Sequence, residues 1–111
     1  MIVVRDEFEA RPGKGRALFE AYMAEYVPGA RDRGMELVDK IVSPPFWLDD
    51  GSNTLLFIWR LPDAASFWRK NHLSRRDPAV TKWWEGVDSL ATSRRRDTFA
   101  DPENFESLAD V

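Results

Sequence analysis

The chain has 111 residues, of which 43% are hydrophobic and 13% aromatic, including five Trp and seven Phe, with a formal charge of -3 at pH 7. That length suits one domain whose small core leaves apolar surface outside it, so a second subunit would help to cover the excess. The 16 basic and 19 acidic residues are scattered and leave no footprint for nucleic acid, while zero cysteines remove disulfides, thiol catalysis and Cys-ligated metals.

A single histidine offers little to a metal, and no phosphate loop or nucleophile elbow is present, so neither metal nor cofactor is expected. The N-terminus MIVVRDEF turns charged after four residues, which fits neither a signal peptide nor a membrane span. A soluble, cytoplasmic protein without membrane or nucleic-acid partners is the expectation.

Residues 2–10 alternate as a strand, with Ile2, Val4, Asp6, Phe8 and Ala10 on one face and Val3, Arg5, Glu7 and Glu9 on the other. Arg11-Pro12-Gly13-Lys14 turns the chain. Leu18, Phe19, Tyr22, Met23 and Tyr26 then recur at helical spacing, and Pro28-Gly29 is expected to stop or kink that helix. Residues 35–42 read as a second strand, with Met35, Leu37, Asp39 and Ile41 opposed to Glu36, Val38, Lys40 and Val42.

The stretch SPPFWLDDGSNT connects strands yet carries Phe46, Trp47 and Leu48. Residues 55–61 form the third strand, with Leu55, Phe57, Trp59 and Leu61 facing away from Leu56, Ile58 and Arg60. Asp63 is placed to cap a short helix reaching Asn71, and Asp77-Pro78 starts another, with Val80, Trp83, Trp84, Val87 and Leu90 as its apolar stripe. Residues 92–100 make the last strand, and an acidic tail follows over 101–111, where Phe105 and Leu108 can dock.

The order β-α-β-β-α-β predicts an α+β, ferredoxin-like βαββαβ domain over residues 1–100, a four-stranded antiparallel sheet with helices on one face. Strands one to three carry apolar residues on both parities, so the uncovered face is expected to pack against a second copy as a homodimer.

Ala10-Arg11-Pro12-Gly13-Lys14, Ile58-Trp59-Arg60, Pro62-Asp63-Ala64-Ala65 and Asp77-Pro78 before Trp83-Trp84 together resemble the NIPSNAP-like members of the dimeric α/β-barrel superfamily, over about residues 2–100. The resemblance implies two sheets facing each other across a dimeric α/β barrel, with a ligand cavity between each sheet and its own helices. Relatives include cofactor-free monooxygenases, polyketide cyclases, lactone isomerases and haem-handling proteins, so the scaffold alone does not name a reaction.

Two aspartates break apolar strand faces, Asp6 and Asp39. A carboxylate among apolar neighbours is costly to ionise, which makes the pair candidates for proton transfer unless each is matched with an arginine or backbone amides. His72, the one histidine, is a further candidate as a base or proton shuttle, or else simply meets the carbonyls at a helix end. Arg5 is the preferred group to hold an oxyanion, whereas Arg94-Arg95-Arg96 reads as a solvated sheet edge. Tyr22, Trp47, Phe57, Trp59 and Trp84 are candidates to line a site for a flat aromatic or apolar substrate, with core packing as the alternative.

The leading expectation is therefore an enzyme for cofactor-independent cyclisation or isomerisation of an aromatic or polyketide-like substrate. Its alternatives are a cofactor-free monooxygenase acting on a phenolic substrate and a non-catalytic ligand-binding protein.

Overall fold

The computed structural model describes residues 1–109; Asp110 and Val111, the end of the expected acidic tail, lie outside the described residues. The chain runs β1 (Ile2–Ala10), α1 (Gly15–Ala21), a π-helical turn (Tyr22–Tyr26), α2 (Val27–Asp32), β2 (Glu36–Ser43) and β3 (Thr54–Leu61). It continues through α3 (Ala64–Arg76), α4 (Pro78–Gly86), a short 3-10 turn (Val87–Ser89), β4 (Ala91–Ala100) and α5 (Phe105–Ala109). The four strands make one antiparallel sheet in the order β2-β3-β1-β4, the ferredoxin-like arrangement expected from the sequence.

The two central strands place their apolar rows under the helices. Ile2, Val4, Phe8 and Ala10 of β1 and Leu55, Phe57, Trp59 and Leu61 of β3 are all buried, and Leu18, Tyr22, Tyr26, Trp83 and Val87 close over them. Each large side chain removed from water in this way contributes about 1.5–3 kcal/mol. Asp6 sits in the middle of that row.

Three local features refine the sequence expectation. Pro28, expected to stop or kink the first helix, does not stop it, and helical structure continues through α2 to Asp32. Proline lacks an N–H and its ring crowds the carbonyl four residues back, and the ladder widens directly before it: the Val27 N–H bonds to the Tyr22 carbonyl, an i to i+5 turn.

β2 carries a bulge, since Leu37 pairs with Trp59 and Asp39 with Ile58, leaving Val38 extra. The inserted residue reverses the parity beyond it. Leu37 therefore faces the helices while Asp39 and Ile41 face the opposite side, which a simple alternation of Met35, Leu37, Asp39 and Ile41 could not foresee.

α3 extends past Asn71 to Arg76 and stops at Asp77, which Pro78 holds in an extended conformation. Both predicted caps form: Asp63 accepts from the Ser66 N–H at 2.8 Å, and Asp77 from the Ala79 N–H at 2.9 Å.

The connection between β2 and β3 is tied from within by Asn53, which is fully buried. Its Nδ2 donates to the Phe46 carbonyl at 2.8 Å, and its Oδ1 accepts from the Leu48 N–H at 3.1 Å. The Arg11–Lys14 turn packs on this loop at Gly13, whose φ of 75° and close approach to the Asp49 carbonyl exclude a Cβ.

Val3, Leu56 and Ile58 are half-buried on the far face of the sheet, and Ile41 and Phe99 there are 54% and 48% exposed. No described helix covers them.

Candidate functional site

Asp6 is completely buried, yet it does not stand alone among apolar neighbours. Its cross-strand partner on β4 is Arg96, whose Nε donates to Oδ1 at 2.5 Å and whose Nη2 donates to Oδ2 at 2.7 Å. This two-point grip supplies the counter-ion that the apolar pattern around Asp6 did not reveal. Of the two readings the sequence left open for Asp6, the structure has the one in which it is matched with an arginine.

The network extends in two directions. The Tyr22 hydroxyl donates to Asp6 Oδ2 at 2.7 Å and accepts from Trp59 Nε1 at 2.7 Å. On the other side, Arg96 Nη2 also donates to the Tyr26 hydroxyl at 2.7 Å, and the Arg96 guanidinium lies 5.4 Å from the Tyr26 ring. Tyr22 and Tyr26 bracket the π-helical turn, so the widened segment before Pro28 supplies both phenols to one charge pair.

Burial, reinforced by the negative charge of Asp6, holds the Tyr22 phenol well above its ordinary pKa, which keeps it protonated and donating. For Arg96, burial works against the charged form, but its hydrogen bonds to Asp6 and that carboxylate's charge overcome this and raise the guanidinium further. Every oxygen of Asp6 is thus occupied, and its part in the site is to hold Arg96 in place.

At its outer end the network meets Trp84. This half-buried indole stacks on Phe8 with centroids 6.2 Å apart, and the guanidinium groups of Arg94 and Arg96 lie 5.0 and 5.2 Å from its ring. A pocket of about 220 Å³ is walled by Trp84, Arg94, Arg95 and Arg96. A more open cleft of about 620 Å³ shares Trp84 and Arg94 with it and extends to Ser74, Val80 and Thr81. A flat ring can lie on the indole here while an anionic oxygen meets a guanidinium.

Lys70 is a further buried cation, 4% exposed, with its ammonium 4.9 Å from the centre of the Phe67 ring. Burial first, then the positive charge of Arg96, pushes its pKa down to about 8, with Arg33 adding to the effect and Asp6 partly offsetting it.

Asp6, Tyr22, Phe57, Trp59 and Trp84 are brought together, whereas Trp47, Asp39, Arg5 and His72 are not. Phe57 is core, stacked 3.7 Å from Tyr22, and Trp59 is likewise enclosed rather than lining a cavity. Trp47 packs on Phe19 with centroids 5.8 Å apart, at the loop beside the β2 and β3 ends. Asp39 is exposed on the opposite face of the sheet because of the Val38 bulge, so it cannot act with Asp6 as an acid and base pair. Arg5 also lies on that opposite face, 2.8 Å from Asp97 and over Phe99. His72 is exposed within α3 rather than at its end, since the helix runs on to Arg76.

Arg96 and Tyr26 belong to the site without having been selected from the sequence. A signal existed for each. Arg94 and Arg96 share the parity of β4 opposite to Arg95, and Tyr26 follows Tyr22 by one helical turn.

Among the described residues, no group of three His, Cys, Asp or Glu side chains is placed to hold a metal ion, and no helix is long and apolar enough to cross a membrane.

No protein-family model matches this sequence, and neither does any curated protein. Solved structures do share its fold. An uncharacterized NIPSNAP domain protein from Burkholderia xenovorans superposes with a TM-score of 0.68 at 14% identity, over 91% of this chain and 94% of that one. A NIPSNAP family protein from Agrobacterium tumefaciens gives 0.67 at 13% identity, over 92% and 93%. A protein from Nitrosomonas europaea described as a 'putative antibiotic biosynthesis monooxygenase' gives 0.57 at 15% identity, over 91% and 89%. The NIPSNAP-like, ferredoxin-like scaffold read from the sequence is the fold that the chain has.

Proposed function

We propose that the protein binds an aromatic or polyketide-like small molecule at the Trp84 seam between the helices and β4, and catalyses a cofactor-independent proton transfer that isomerises or cyclises it. One observation carries this reading: a buried hydrogen-bonded chain, Trp59 to Tyr22 to Asp6 to Arg96 to Tyr26, ends at a half-exposed indole flanked by two guanidinium groups.

The roles follow from who holds whom. Asp6, oriented by Tyr22, is a positioning residue that fixes the Arg96 fork, and Arg96 stabilises the oxyanion of an enolate or phenolate. Tyr26 moves the proton, because its oxygen accepts from Arg96 while its own O–H has no acceptor among the described residues. Trp84 and Arg94 hold the flat part of the substrate.

A homodimer completes the picture. The apolar residues Val3, Ile41, Leu56, Ile58 and Phe99 on the open sheet face offer one patch that a two-fold axis would set against its own copy. Residues 1–100 would form the folding unit with 101–111 appended, and a cysteine-free chain suits a reducing cytoplasm. Sedimentation should show a dimer, and Ile58→Glu should yield monomers; a monomeric parent would remove this part of the reading.

The reaction is tested by incubating the protein with aromatic β-ketones in D2O and following loss of the α-proton signal by NMR. Cofactor-free exchange that disappears in Arg96→Gln supports the proposal, and absence of both binding and exchange across such compounds opposes it. A cofactor-free oxygenase is the second reading, favoured by the fold likeness to the Nitrosomonas europaea protein. Oxygen consumption with a phenolic substrate selects it.

A further inference from the structure

We infer that the ligand of the Trp84 seam carries a permanent carboxylate, and that Arg94 takes this group in exchange for the Asp88 side chain that sits beside it. The inference rests on the small-molecule site proposed above and narrows its substrates to aromatic or polyketide-like acids with a free carboxyl group.

The two guanidinium groups on the Trp84 indole are not equivalent. Arg94 and Arg96 stand two residues apart on one face of β4, opposite Phe8 and Asp6, which spaces them by about 7 Å along the strand. Arg96 spends Nε and Nη2 on Asp6, and Nη2 also on Tyr26, so its side-on fork is closed. Arg94 makes no hydrogen bond among the described residues, although its guanidinium is placed 5.0 Å from the centre of the Trp84 ring. Its one ion pair there is with Asp88, Nε to Oδ1 at 3.6 Å, too long for a hydrogen bond. The fork of Arg94 is therefore open.

Asp88 is anchored through its backbone and not through this contact. It lies in the 3-10 turn before β4, and its carbonyl accepts from Arg11 Nε at 2.8 Å. Both Asp88 and Arg94 are exposed, so their pairing is weak, solvated by water and readily displaced. A ligand carboxylate would replace like with like at Arg94, with two-point hydrogen bonds in place of a loose contact, while the attached ring gains the indole face.

The two cavities divide in the same way. The pocket of about 220 Å³ is walled by Trp84 and three arginines with no acid in its lining, which suits a small anionic group. The adjoining cleft of about 620 Å³ adds Val80 and the Ser74 and Thr81 hydroxyls, and has room for rings. Arg95 does not compete for the role, because its Nε is paired with Asp97 at 2.9 Å. A carboxylate on Arg94 also orients the substrate, since the carbonyl that becomes an oxyanion must then face Arg96 on the same side of the strand. A free acid at this position means that any thioester carrying the chain has been hydrolysed in a preceding step.

The test compares 3-hydroxy-2-naphthoate with its neutral counterpart 3-hydroxy-2-naphthamide by calorimetry on the intact protein, with the Trp84 indole N–H signal in NMR locating the site. The acid should bind on the order of tenfold more tightly than the amide, the effect of hydrogen bonding to a charged group. Arg94→Gln should remove that preference by weakening the acid alone, and Asp88→Asn should strengthen the acid severalfold without changing the amide. Both substitutions are at exposed positions and leave the core untouched. Arg75→Gln and Glu85→Gln neutralise a cation and an acid on the wall of the same cleft, and should keep the ratio of the two affinities near that of the parent.

Equal affinities for acid and amide in the parent, or an acid preference that survives Arg94→Gln, overturn the inference, and a Trp84 shift with both ligands then leaves the site standing. An unchanged acid affinity in Asp88→Asn overturns the exchange. Binding of neither ligand removes the inference together with the site it rests on.

Discussion

Two successive rungs of the same strand pair, β1 with β4, carry the same chemistry in opposite senses. Arg5 meets Asp97 on the open face, and Asp6 meets Arg96 on the helix-covered face. The open pair is part-exposed and shares Asp97 with Arg95, whereas the covered pair is enclosed by Tyr22, Tyr26 and Trp84. An exposed pair gains little because water solvates its ions nearly as well, while an enclosed one must satisfy every polar atom or destabilise the fold. The open rung is therefore a surface pair, and the covered rung is the enclosed pair on which the proposed site is built.

The largest effect should come from breaking the covered rung. Arg96→Met leaves Asp6 buried without a counter-ion and should cost on the order of 3–5 kcal/mol in urea unfolding. Asp6→Leu combined with Arg96→Met should recover most of that loss, and failure to recover it would mean that the pair contributes more than mutual compensation.

Next comes a gain. Lys70 releases its proton near pH 8 when folded and near 10.5 when unfolded. Between these values the unfolded chain holds a proton that the folded chain has lost, so stability rises with pH across that window and is lowest, for this group, below it. Lys70→Met should therefore stabilise the protein by up to roughly 3 kcal/mol at pH 7, with the gain fading from pH 8 upward. A destabilised variant at pH 7 would show that the lysine is paired.

Tyr22→Phe removes one hydroxyl that serves two partners, Asp6 and Trp59, and should cost about 1–3 kcal/mol in the same assay. The smallest effect belongs to the open rung. Arg5→Met should lower the melting temperature slightly at low salt and not at all at high salt. Equal losses in Arg5→Met and Arg96→Met would erase the contrast between the faces.

The sheet was legible because its two central strands keep an uninterrupted period of two, and Asp63 and Asp77-Pro78 cap helices as their chemistry demands. The site was legible only in half. Asp6, Tyr22, Trp59 and Trp84 stand out as polar or aromatic breaks in strong patterns, but Asp39 shows the same local pattern and lands on the other face. A bulge is a property of how two strands pair, and nothing around Val38 announces it.

Arg96 was hidden for a related reason. Three consecutive arginines look like a solvated edge until the register places one of them opposite a buried aspartate 90 residues away. The π-helical turn is likewise a compromise between Pro28 and the packing of Tyr22 and Tyr26, visible only once the sheet beneath them is in place.

The central claim, that small molecules bind at the covered face beside Arg96, is tested most directly by titrating isotope-labelled protein with 3-hydroxy-2-naphthoate and following the five tryptophan indole N–H signals by NMR. The account predicts that the Trp84 signal shifts first and furthest, together with the Arg96 and Tyr26 amides, while Trp47 stays in place. Shifts confined to Trp47 or to the open-face residues Ile41, Ile58 and Phe99 would contradict it.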